Sequence, residues 1–262
     1  MREEAAAGDP AAQFRIGCAG WAIPKQHAAA FPSAGSHLAR YGRRFAAVEI
    51  NSSFHRPHRR TTYERWAAAV PAGFAFAVKA PKEITHRRRL ANAGAELEAF
   101  LAQIGGLGER LGPLLFQLSP SLAFDRGVAE AFFAALRARF EGSAVCEPRH
   151  PDWLTSEADD VLKAFRIGRV AADPPLAFGA ADPGGWGSIR YFRLHGSPRR
   201  YYSDYDADAL ERIATALTRA GMEGDAVWCI FDNTAAGAAT ANALALQVIL
   251  GRRGRPTARH LG

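Results

Sequence analysis

Cysteine is scarce in this chain of 262 residues, and the three that occur are scattered. Cys18, Cys146 and Cys229 each fall in a segment with strand-like character, and they form no CxxC spacing. An odd, dispersed set argues against a disulfide framework and against a structural zinc site. We therefore expect three buried thiols that contribute to the hydrophobic core.

Long apolar runs are absent as well. No window contains the ~20 apolar residues that a membrane-spanning helix needs. The N-terminal sequence MREEAAAGDPAAQ lacks the apolar centre of a signal peptide, so we expect a cytoplasmic protein with no membrane partner. The G-x-S-x-G, P-loop and G-x-G-x-x-G motifs are also missing, which removes the usual sequence evidence for a serine hydrolase or a nucleotide-binding loop.

Lysine is rare although the chain is basic. Lysine and arginine total 33 against 26 acidic residues, which gives a formal charge of +7, and only four of the 33 are lysines. Arginine forks suit phosphate and carboxylate groups, so the charge is compatible with a polyanionic partner. A genome-wide compositional bias explains the charge equally well, because alanine is also very abundant.

Eight short apolar segments, rich in Val, Ile and Phe, alternate with stretches of helical periodicity. They cover residues 14–18, 47–52, 74–80, 114–118, 144–147, 169–172, 189–195 and 226–231. Repeated strand and helix units predict parallel strands with crossover connections. Eight such units in a chain of this length predict a TIM-barrel-like (β/α)8 fold of the α/β class. We expect one domain over residues 14–250, with flexible ends at 1–13 and 251–262.

The helical stretches differ in how clearly they begin and end. The capping-box pattern Thr61-Thr62-Tyr63-Glu64 predicts a helix that runs to about Val70. Ser156 opens another helix, and a later one from Asp206 closes at Gly221. The crossover after strand six, residues 174–188, carries three prolines and several glycines and is predicted to be irregular.

Polar residues stand where the apolar segments end, and this placement predicts the site. Side chains alternate along a strand, so the apolar residues that face the helices direct their polar neighbours inward. The site of a (β/α)8 barrel lies at the carboxyl ends of its strands. We assign candidate catalytic roles to Glu49, Glu147, His195 and Asp232. We assign candidate substrate-binding roles to Trp21, Asn51, Lys79, Gln117, Arg149, Asp173, Arg193 and Asn233. Strand eight is ambiguous between Asp232 and Asn233.

Several blocks of the sequence are similar to one known family. They include Ile16-Gly17-Cys18-Ala19-Gly20-Trp21, Val48-Glu49-Ile50-Asn51-Ser52-Ser53-Phe54, Phe76-Ala77-Val78-Lys79-Ala80-Pro81, Glu147-Pro148-Arg149-His150-Pro151-Asp152-Trp153 and Tyr191-Phe192-Arg193-Leu194-His195-Gly196. The chain resembles the YecE-like family, known as domain of unknown function 72, over about residues 14–250. The resemblance implies a TIM-barrel-like fold and no defined activity. Asp232 stands where the family usually has Asn, which adds a carboxylate to the site.

The main hypothesis for function centres on phosphate. Lys79, Arg149 and Arg193 would bind the anion, and His195 would act as acid or base, as in a hydrolase or another phosphate-directed enzyme. The loops carry basic runs and aromatic residues that together favour nucleic acid as one possible ligand. The basic runs are His58-Arg59-Arg60, His86-Arg87-Arg88-Arg89 and Arg199-Arg200. The aromatic residues are Trp21, Phe54, Trp153, Tyr201, Tyr202 and Tyr205.

Other hypotheses remain open at this point. Glu49 and Glu147 could form the carboxylate pair of an enzyme that acts on a sugar. The protein could also bind nucleic acid without catalysis. A multinuclear zinc site is disfavoured because only His195 is confidently inward, with His86 and His150 as further contributors. A single divalent metal ion held by carboxylates is retained as a possible cofactor.

Overall fold

The strands follow the eight apolar segments closely. The computed structural model describes residues 14–177, 180–223 and 226–253, and ten strands occur in this part of the chain. They are β1 (Phe14–Cys18), β2 (Ala47–Ile50), β3 (Ala75–Lys79), β4 (Leu111–Gln117), β5 (Ala144–Glu147), β6 (Ile167–Arg169), β7 (Ala171–Asp173), β8 (Gly184–Gly185), β9 (Ile189–Leu194) and β10 (Ala226–Phe231). The predicted strand 169–172 is interrupted at Val170, which separates β6 from β7.

Helices connect most of these strands. They are α1 (His37–Gly42), α2 (Ser52–His55), α3 (Arg60–Ala68), α4 (Gly94–Ile104), α5 (Arg126–Arg137), α6 (Ser156–Ala164), α7 (Ala207–Glu223) and α8 (Ala238–Arg253). Side-chain caps stabilise the N-termini of several helices. At the start of α5, for example, the Asp125 carboxylate accepts a hydrogen bond from the Val128 N–H at 2.9 Å. Within the described ranges, no helix has the length and apolar character to cross a bilayer.

Two predicted helix boundaries need correction. The helix predicted to open at Thr61 begins at Arg60 and ends at Ala68, and no side chain caps it because Thr61 already lies inside its first turn. Helix α6 begins at Ser156, as predicted, and its cap is the preceding Thr155, whose hydroxyl accepts from the Ala158 N–H. Helix α7 continues past Gly221, which keeps a helical conformation there.

The predicted C-terminal end also needs a correction. Helix α8 extends through Arg253, so residues 251–253 are helical rather than part of a flexible end. Its last turn carries Arg252 and Arg253, whose positive charges suit the negative end of the helix dipole. The remaining residues of the predicted ends, 1–13 and 254–262, lie outside the described residues.

The strands pair in two sheets. One has the order β1-β10-β9-β7 and the other β2-β3-β4-β5-β6-β8. All pairs are parallel except β6 with β8, where Gly168 lies opposite Gly185. The α/β class with parallel strands joined by helices is therefore confirmed, while the hydrogen-bonded ladders form two sheets rather than one closed sheet. The crossover 174–188 contains β8 and, in its described residues, no helix, as its composition predicts.

The two sheets bury one small hydrophobic cluster between them. It consists of Ala47, Ala77, Leu115, Val145, Val170, Ile189, Tyr191, Trp228 and Ile230, contributed by strands of both sheets. A larger cluster lies on the opposite faces, where the sheets pack against the helices. All three cysteines are free and buried, as predicted. Burial raises the pKa of Cys18 to about 12 and also raises the pKa values of Cys146 and Cys229.

Close packing between β1 and β2 makes Gly17 essential for stability. A Cβ atom at this position would overlap the carbonyl oxygen of Ala47 on the neighbouring strand. We expect Gly17→Ala to destabilise the protein by about 1–3 kcal/mol, because the two strands must move apart. The matched control is Gly94→Ala, where no atom lies within 4 Å of the new Cβ. Urea unfolding should separate the two variants, and equal midpoints would contradict this account.

Candidate functional site

A layer of polar side chains lies directly beyond the small inner cluster. Six of the nine inner apolar residues are followed two positions later by a polar residue on the same strand face, because side chains alternate with a period of two. Ala47 precedes Glu49, Ala77 precedes Lys79 and Leu115 precedes Gln117. In the same way, Val145 precedes Glu147, Tyr191 precedes Arg193 and Ile230 precedes Asp232. Two residues further again, Arg149 and His195 continue the rows that contain Glu147 and Arg193. The predicted inward positions are thus brought together at the carboxyl ends of the strands.

Arg193 is the centre of this layer. Its guanidinium is fully buried and donates to Glu49 through Nη2, 2.7 Å from Oε1, and through Nε, 3.1 Å from both oxygens. It also contacts Glu147 Oε2 at 3.2 Å and Asp232 Oδ2 at 3.0 Å. The hydroxyl of Tyr191 donates to Glu49 Oε2 at 2.8 Å. One arginine therefore compensates three carboxylates, two of which are completely buried.

Glu147 has four polar partners. Its Oε1 lies 3.0 Å from Nε of Arg149 and 2.9 Å from Nε2 of His195. Its Oε2 accepts from Gln117 Nε2 at 3.1 Å and from Arg193. Burial by itself would raise the pKa of this carboxyl, but Arg193, His195 and Arg149 outweigh burial and hold the pKa well below its usual range. Glu147 is therefore a permanently ionised group.

His195 lies between two carboxylates. Its Nδ1 is 2.9 Å from Asp232 Oδ2 and its Nε2 is 2.9 Å from Glu147 Oε1, while Arg149 Nη2 is 3.0 Å from the same Nε2. A protonated Nε2 donates to Glu147, and an unprotonated Nε2 accepts from Arg149. His195 is fully buried.

A cavity of about 390 Å³ opens above this layer. It is lined by Asn51, Phe54, His55, Lys79, His86, Gln117, Leu118, Pro120, Arg149, Arg200, Tyr201 and Asp232. Cationic groups therefore line the cavity, with Asp232 as the one carboxylate among its lining residues. A second cavity of about 330 Å³ adjoins it and shares Phe54 and His55 as walls.

Asp232 is the carboxylate through which the buried layer meets the cavity. Its Oδ2 contacts His195 and Arg193, while its Oδ1 lies 3.4 Å from Asn51 Nδ2. Burial alone would raise its pKa, but Arg193 and His195 reverse the effect and lower the pKa below its ordinary value. Asp232 is therefore ionised at neutral pH and able to accept a proton or orient a water molecule.

Three residues assigned to the site from sequence lie elsewhere. Asp173 accepts from the Tyr205 hydroxyl at 2.7 Å, because it is three positions after the inward Val170 and so lies on the opposite face. Asn233 is likewise three positions after Ile230, and its amide donates to Ser203 O and Asn242 Oδ1. Of the two candidates at the end of β10, Asp232 is therefore the residue that faces inward.

The third misplaced residue is Trp21. Its ring packs edge-on against Trp66, with 5.1 Å between the ring centroids, and it does not line the cavity. The remaining predicted residues either line the cavity or lie in the polar layer beneath it. Asn51, Lys79, Gln117, Arg149 and Asp232 belong to the lining, whereas Glu49, Glu147, Arg193 and His195 belong to the buried layer.

The predicted basic and aromatic rim is present only in part. Arg200, His86, Phe54 and Tyr201 line the cavity. Other rim arginines contact protein groups: Arg60 pairs with Glu64, Arg87 with Glu83, Arg88 with Glu96 and Arg89 with Ser121, while Arg199 lies over the Tyr202 ring. Trp153 and Tyr205 are buried, so neither presents a ring to a ligand. Part of the predicted rim therefore lies at the mouth of this cavity, while several other rim arginines contact neighbouring protein groups.

Sequence reasoning missed His55. It lies in the short helix α2, which begins directly after the inward Asn51, and it forms a wall shared by both cavities. The available signal was its position four residues after a strand-end site residue. The retained divalent metal has little support from geometry: within the described ranges no three His, Cys, Asp or Glu side chains are grouped to hold an ion.

Comparisons with known proteins bear on the fold. A family model described as "Protein of unknown function DUF72" matches residues 15–260. A DUF72 protein from Enterococcus faecalis V583 is 21% identical, with a TM-score of 0.77 over 90% of this chain and 95% of that chain. A DUF72 protein from Thermotoga maritima MSB8 is 22% identical, with a TM-score of 0.75 over 91% of this chain and 99% of that chain. These likenesses show a shared fold. No curated protein matches the chain.

Proposed function

The chain belongs to the DUF72 family, and we propose that this member is an enzyme acting on a phosphate-containing substrate in the cavity above Asp232. The observation that carries the proposal is the cavity lining, in which one ionised carboxylate lies among Lys79, Arg149 and Arg200. Ammonium and guanidinium groups bind phosphate oxygens, and a carboxylate beside them can orient a water for attack. Hydrolysis of a phosphate ester is the reaction class that this arrangement favours.

Each side chain has a distinct role in this proposal. Lys79, Arg149 and Arg200 bind the phosphate, and Asp232 accepts a proton from the attacking water. His195 and Arg193 do not touch the ligand, and they act as positioning residues that hold Asp232 ionised. Glu147 in turn contacts both His195 and Arg193 and holds them in place. Asn51 and Gln117 supply amide groups at the floor of the cavity.

We further infer that the two sheets approximate the predicted (β/α)8 barrel. Support comes from the junctions between them. Ala19 forms a parallel bridge with Glu49 next to β1 and β2, and the Gly20 N–H donates to the Glu49 carbonyl at 2.9 Å. At the other junction, β6 and β7 are separated only by Val170, whose N–H donates to Cys146 O.

A cytoplasmic location stays a prediction.

Two alternatives have less support. In the sugar hypothesis, Glu49 and Glu147 would flank a glycosidic bond, but both are fully buried, both contact Arg193, and neither lines the cavity. In the non-catalytic hypothesis, nucleic acid would bind along the rim. Arg60, Arg87, Arg88 and Arg89 of the rim already contact other protein groups. Arg200, His86 and Tyr201 at the cavity mouth would then contact the nucleic acid.

Arg200→Gln tests the phosphate subsite. Arg200 is exposed at the cavity mouth, and its neighbour Arg199 lies outside the lining with its guanidinium 4.0 Å over the Tyr202 ring. At low salt we expect Arg200→Gln to weaken binding of inorganic phosphate by roughly fivefold to tenfold, because one partly exposed charge-assisted hydrogen bond is lost. Isothermal titration measures the effect, and Arg199→Gln is the matched control.

The control also distinguishes a site from general surface charge. If both variants weaken binding equally, the cavity is not the phosphate site and the net charge alone attracts the anion. Titration of a single-stranded oligonucleotide extends the test. A nucleic-acid ligand in the cavity should show a salt dependence whose slope decreases by about one in Arg200→Gln and stays unchanged in Arg199→Gln.

A further inference from the structure

Among the residues that the structure describes, Lys79 differs from the other buried cations of the site because its ammonium group has no ion-pair partner. Arg193 and Arg149 both contact carboxylates, whereas Lys79 Nζ forms no hydrogen bond or ion pair with any described residue. It lies 4.2 Å from the centroid of the Phe54 ring and lines the cavity, and the residue is only 8% exposed. A lysine that served only to balance charge would be expected to contact a carboxylate.

The surroundings of Lys79 lower its pKa and so increase the fraction of the neutral amine. Burial, followed by the charge of Arg193, lowers its pKa to about 8, against the opposing influence of Glu49, Glu147 and Asp232. The charge of Lys79 in turn lowers the pKa values of His86 and Asp232. With a pKa of about 8, roughly a tenth of the molecules carry the free amine at pH 7, compared with well under a thousandth for an ordinary lysine. A free amine is the form of lysine that attacks carbonyl carbon.

The cavity also supplies what a carbonyl ligand with a phosphate group would need. Arg149 and Arg200 line the same cavity as Lys79 and are able to bind the phosphate. Asp232 lies in the same lining and is able to take the proton that the attacking nitrogen releases. The volume of about 390 Å³ falls in the range typical of small-molecule sites.

We propose that Lys79 forms an imine with a phosphorylated aldehyde or ketone bound in this cavity. The Lys79 nitrogen attacks the carbonyl carbon, and proton transfer to the former carbonyl oxygen gives a carbinolamine. Loss of that oxygen as water then forms the C=N bond, so that amine and carbonyl compound yield imine and water with no change in oxidation state. The inference rests on the proposed function, because the phosphate subsite is what selects this substrate class. Arg149 and Arg200 hold the phosphate in the molecules whose Lys79 is neutral and reacts, so that Lys79 does not bind the phosphate in this step.

Pyridoxal 5′-phosphate is a suitable probe, since it carries both an aldehyde and a phosphate. Borohydride reduces its imine by delivering hydride to the C=N carbon, which leaves a stable secondary amine on the lysine. The chain contains only four lysines, Lys25, Lys79, Lys82 and Lys163, so peptide mass spectrometry can compare all of them in one sample. We expect at least tenfold more adduct at Lys79 than at each of the others, with labelling that increases through pH 8.

The controls separate this inference from the proposed phosphate site. Pyridoxal, which lacks the phosphate, should label Lys79 at least fivefold more slowly, and inorganic phosphate should protect Lys79 from pyridoxal 5′-phosphate. Lys79→Arg keeps the positive charge and should remove the dominant adduct, while Lys82→Arg should leave it unchanged.

Each contrary outcome refers to one claim. Equal labelling of all four lysines, while inorganic phosphate still binds in a manner sensitive to Arg200→Gln, would overturn the imine inference and leave the phosphate site intact. Equal labelling of Lys79 by pyridoxal and by pyridoxal 5′-phosphate, without protection by phosphate, would overturn the phosphate site instead. In that case Lys79 would be a reactive amine for carbonyl compounds that carry no phosphate.

Discussion

Arg193→Met is expected to destabilise the protein by about 3–5 kcal/mol, because it leaves two fully buried carboxylates without their principal cation. Glu49 would retain only the Tyr191 hydroxyl among its described side-chain partners, and Glu147 would depend on Arg149, His195 and Gln117. Lysine is not an adequate replacement, since a single ammonium group cannot reproduce the several directed contacts of the guanidinium. Urea unfolding at neutral pH measures the change.

Tyr191→Phe is the graded control for this experiment. It removes one hydrogen bond to the ionised Glu49 and leaves the guanidinium in place, so we expect a loss of about 1.5–3 kcal/mol, below that of Arg193→Met. The double variant Arg193→Met with Glu49→Gln should recover part of the lost stability, because the uncompensated charge at Glu49 is removed. An Arg193→Met protein as stable as the wild type would show that water or another cation replaces the guanidinium.

Asp232→Asn is expected to reduce turnover of a phosphate ester by roughly 10²–10⁴-fold, the typical contribution of a general base. Inorganic phosphate should bind the variant more tightly than the wild type, because the only carboxylate in the cavity lining has been neutralised. Loss of turnover together with a gain in anion affinity is not expected from partial unfolding. The measurements are initial rates on a panel of phosphate monoesters and diesters, with phosphate titration of the same preparations.

Asp182→Asn provides the matched substitution at a distance. Asp182 is exposed and pairs with Arg219, outside the cavity lining, so rates and affinity should both stay unchanged. If Asp232→Asn weakens phosphate binding, or keeps full turnover of every ester that the wild type hydrolyses, Asp232 is not the base. Loss of binding without any measurable turnover in the wild type would instead favour the non-catalytic hypothesis.

These two experiments divide the polar layer into parts with different roles. Glu49, Arg193 and Tyr191 are fully buried and satisfy one another, so their substitution should affect stability first. Lys79 and Asp232 face the cavity, and their substitution should affect ligands first. In a charged layer that was wholly structural, we would expect the Lys79 ammonium to have an ion-pair partner among the described residues.

Alternation along single strands was enough to predict most of the site. Glu49, Lys79, Gln117, Glu147 and Arg193 were each assigned inward from the apolar residues beside them, and each lies in the polar layer or lines the cavity. This inference succeeds because the period-two pattern of a strand is local and does not depend on which strand lies next to it. The strand positions and the burial of the cysteines follow from equally local patterns.

The sequence could not determine the contacts between strands. The last predicted strand, which is β10 in the structure, is apolar on both faces. Only the packing of Ile230 in the inner cluster therefore selects Asp232 rather than Asn233 as the inward residue. Asp173 was misassigned because the break at Val170 determines the face of the following residues, and no composition signal marks it. Among the rim arginines, the pairing of Arg88 with Glu96 also depends on a neighbouring helix, whereas Arg60–Glu64 and Arg87–Glu83 are i,i+4 pairs that local spacing could have indicated.

The sequence by itself determined the α/β class, the order of strands and helices, and the face on which most polar strand-end residues lie. Only the tertiary structure decided which of these residues line the cavity. Arg193 lies in strand β9 and His195 directly follows it. Both are on the inward face, as are the cavity-lining Asp232 and Arg149, yet other side chains cover them completely. Burial and ion pairing depend on distances between residues far apart in the chain, and those distances are fixed by how the sheets and helices pack.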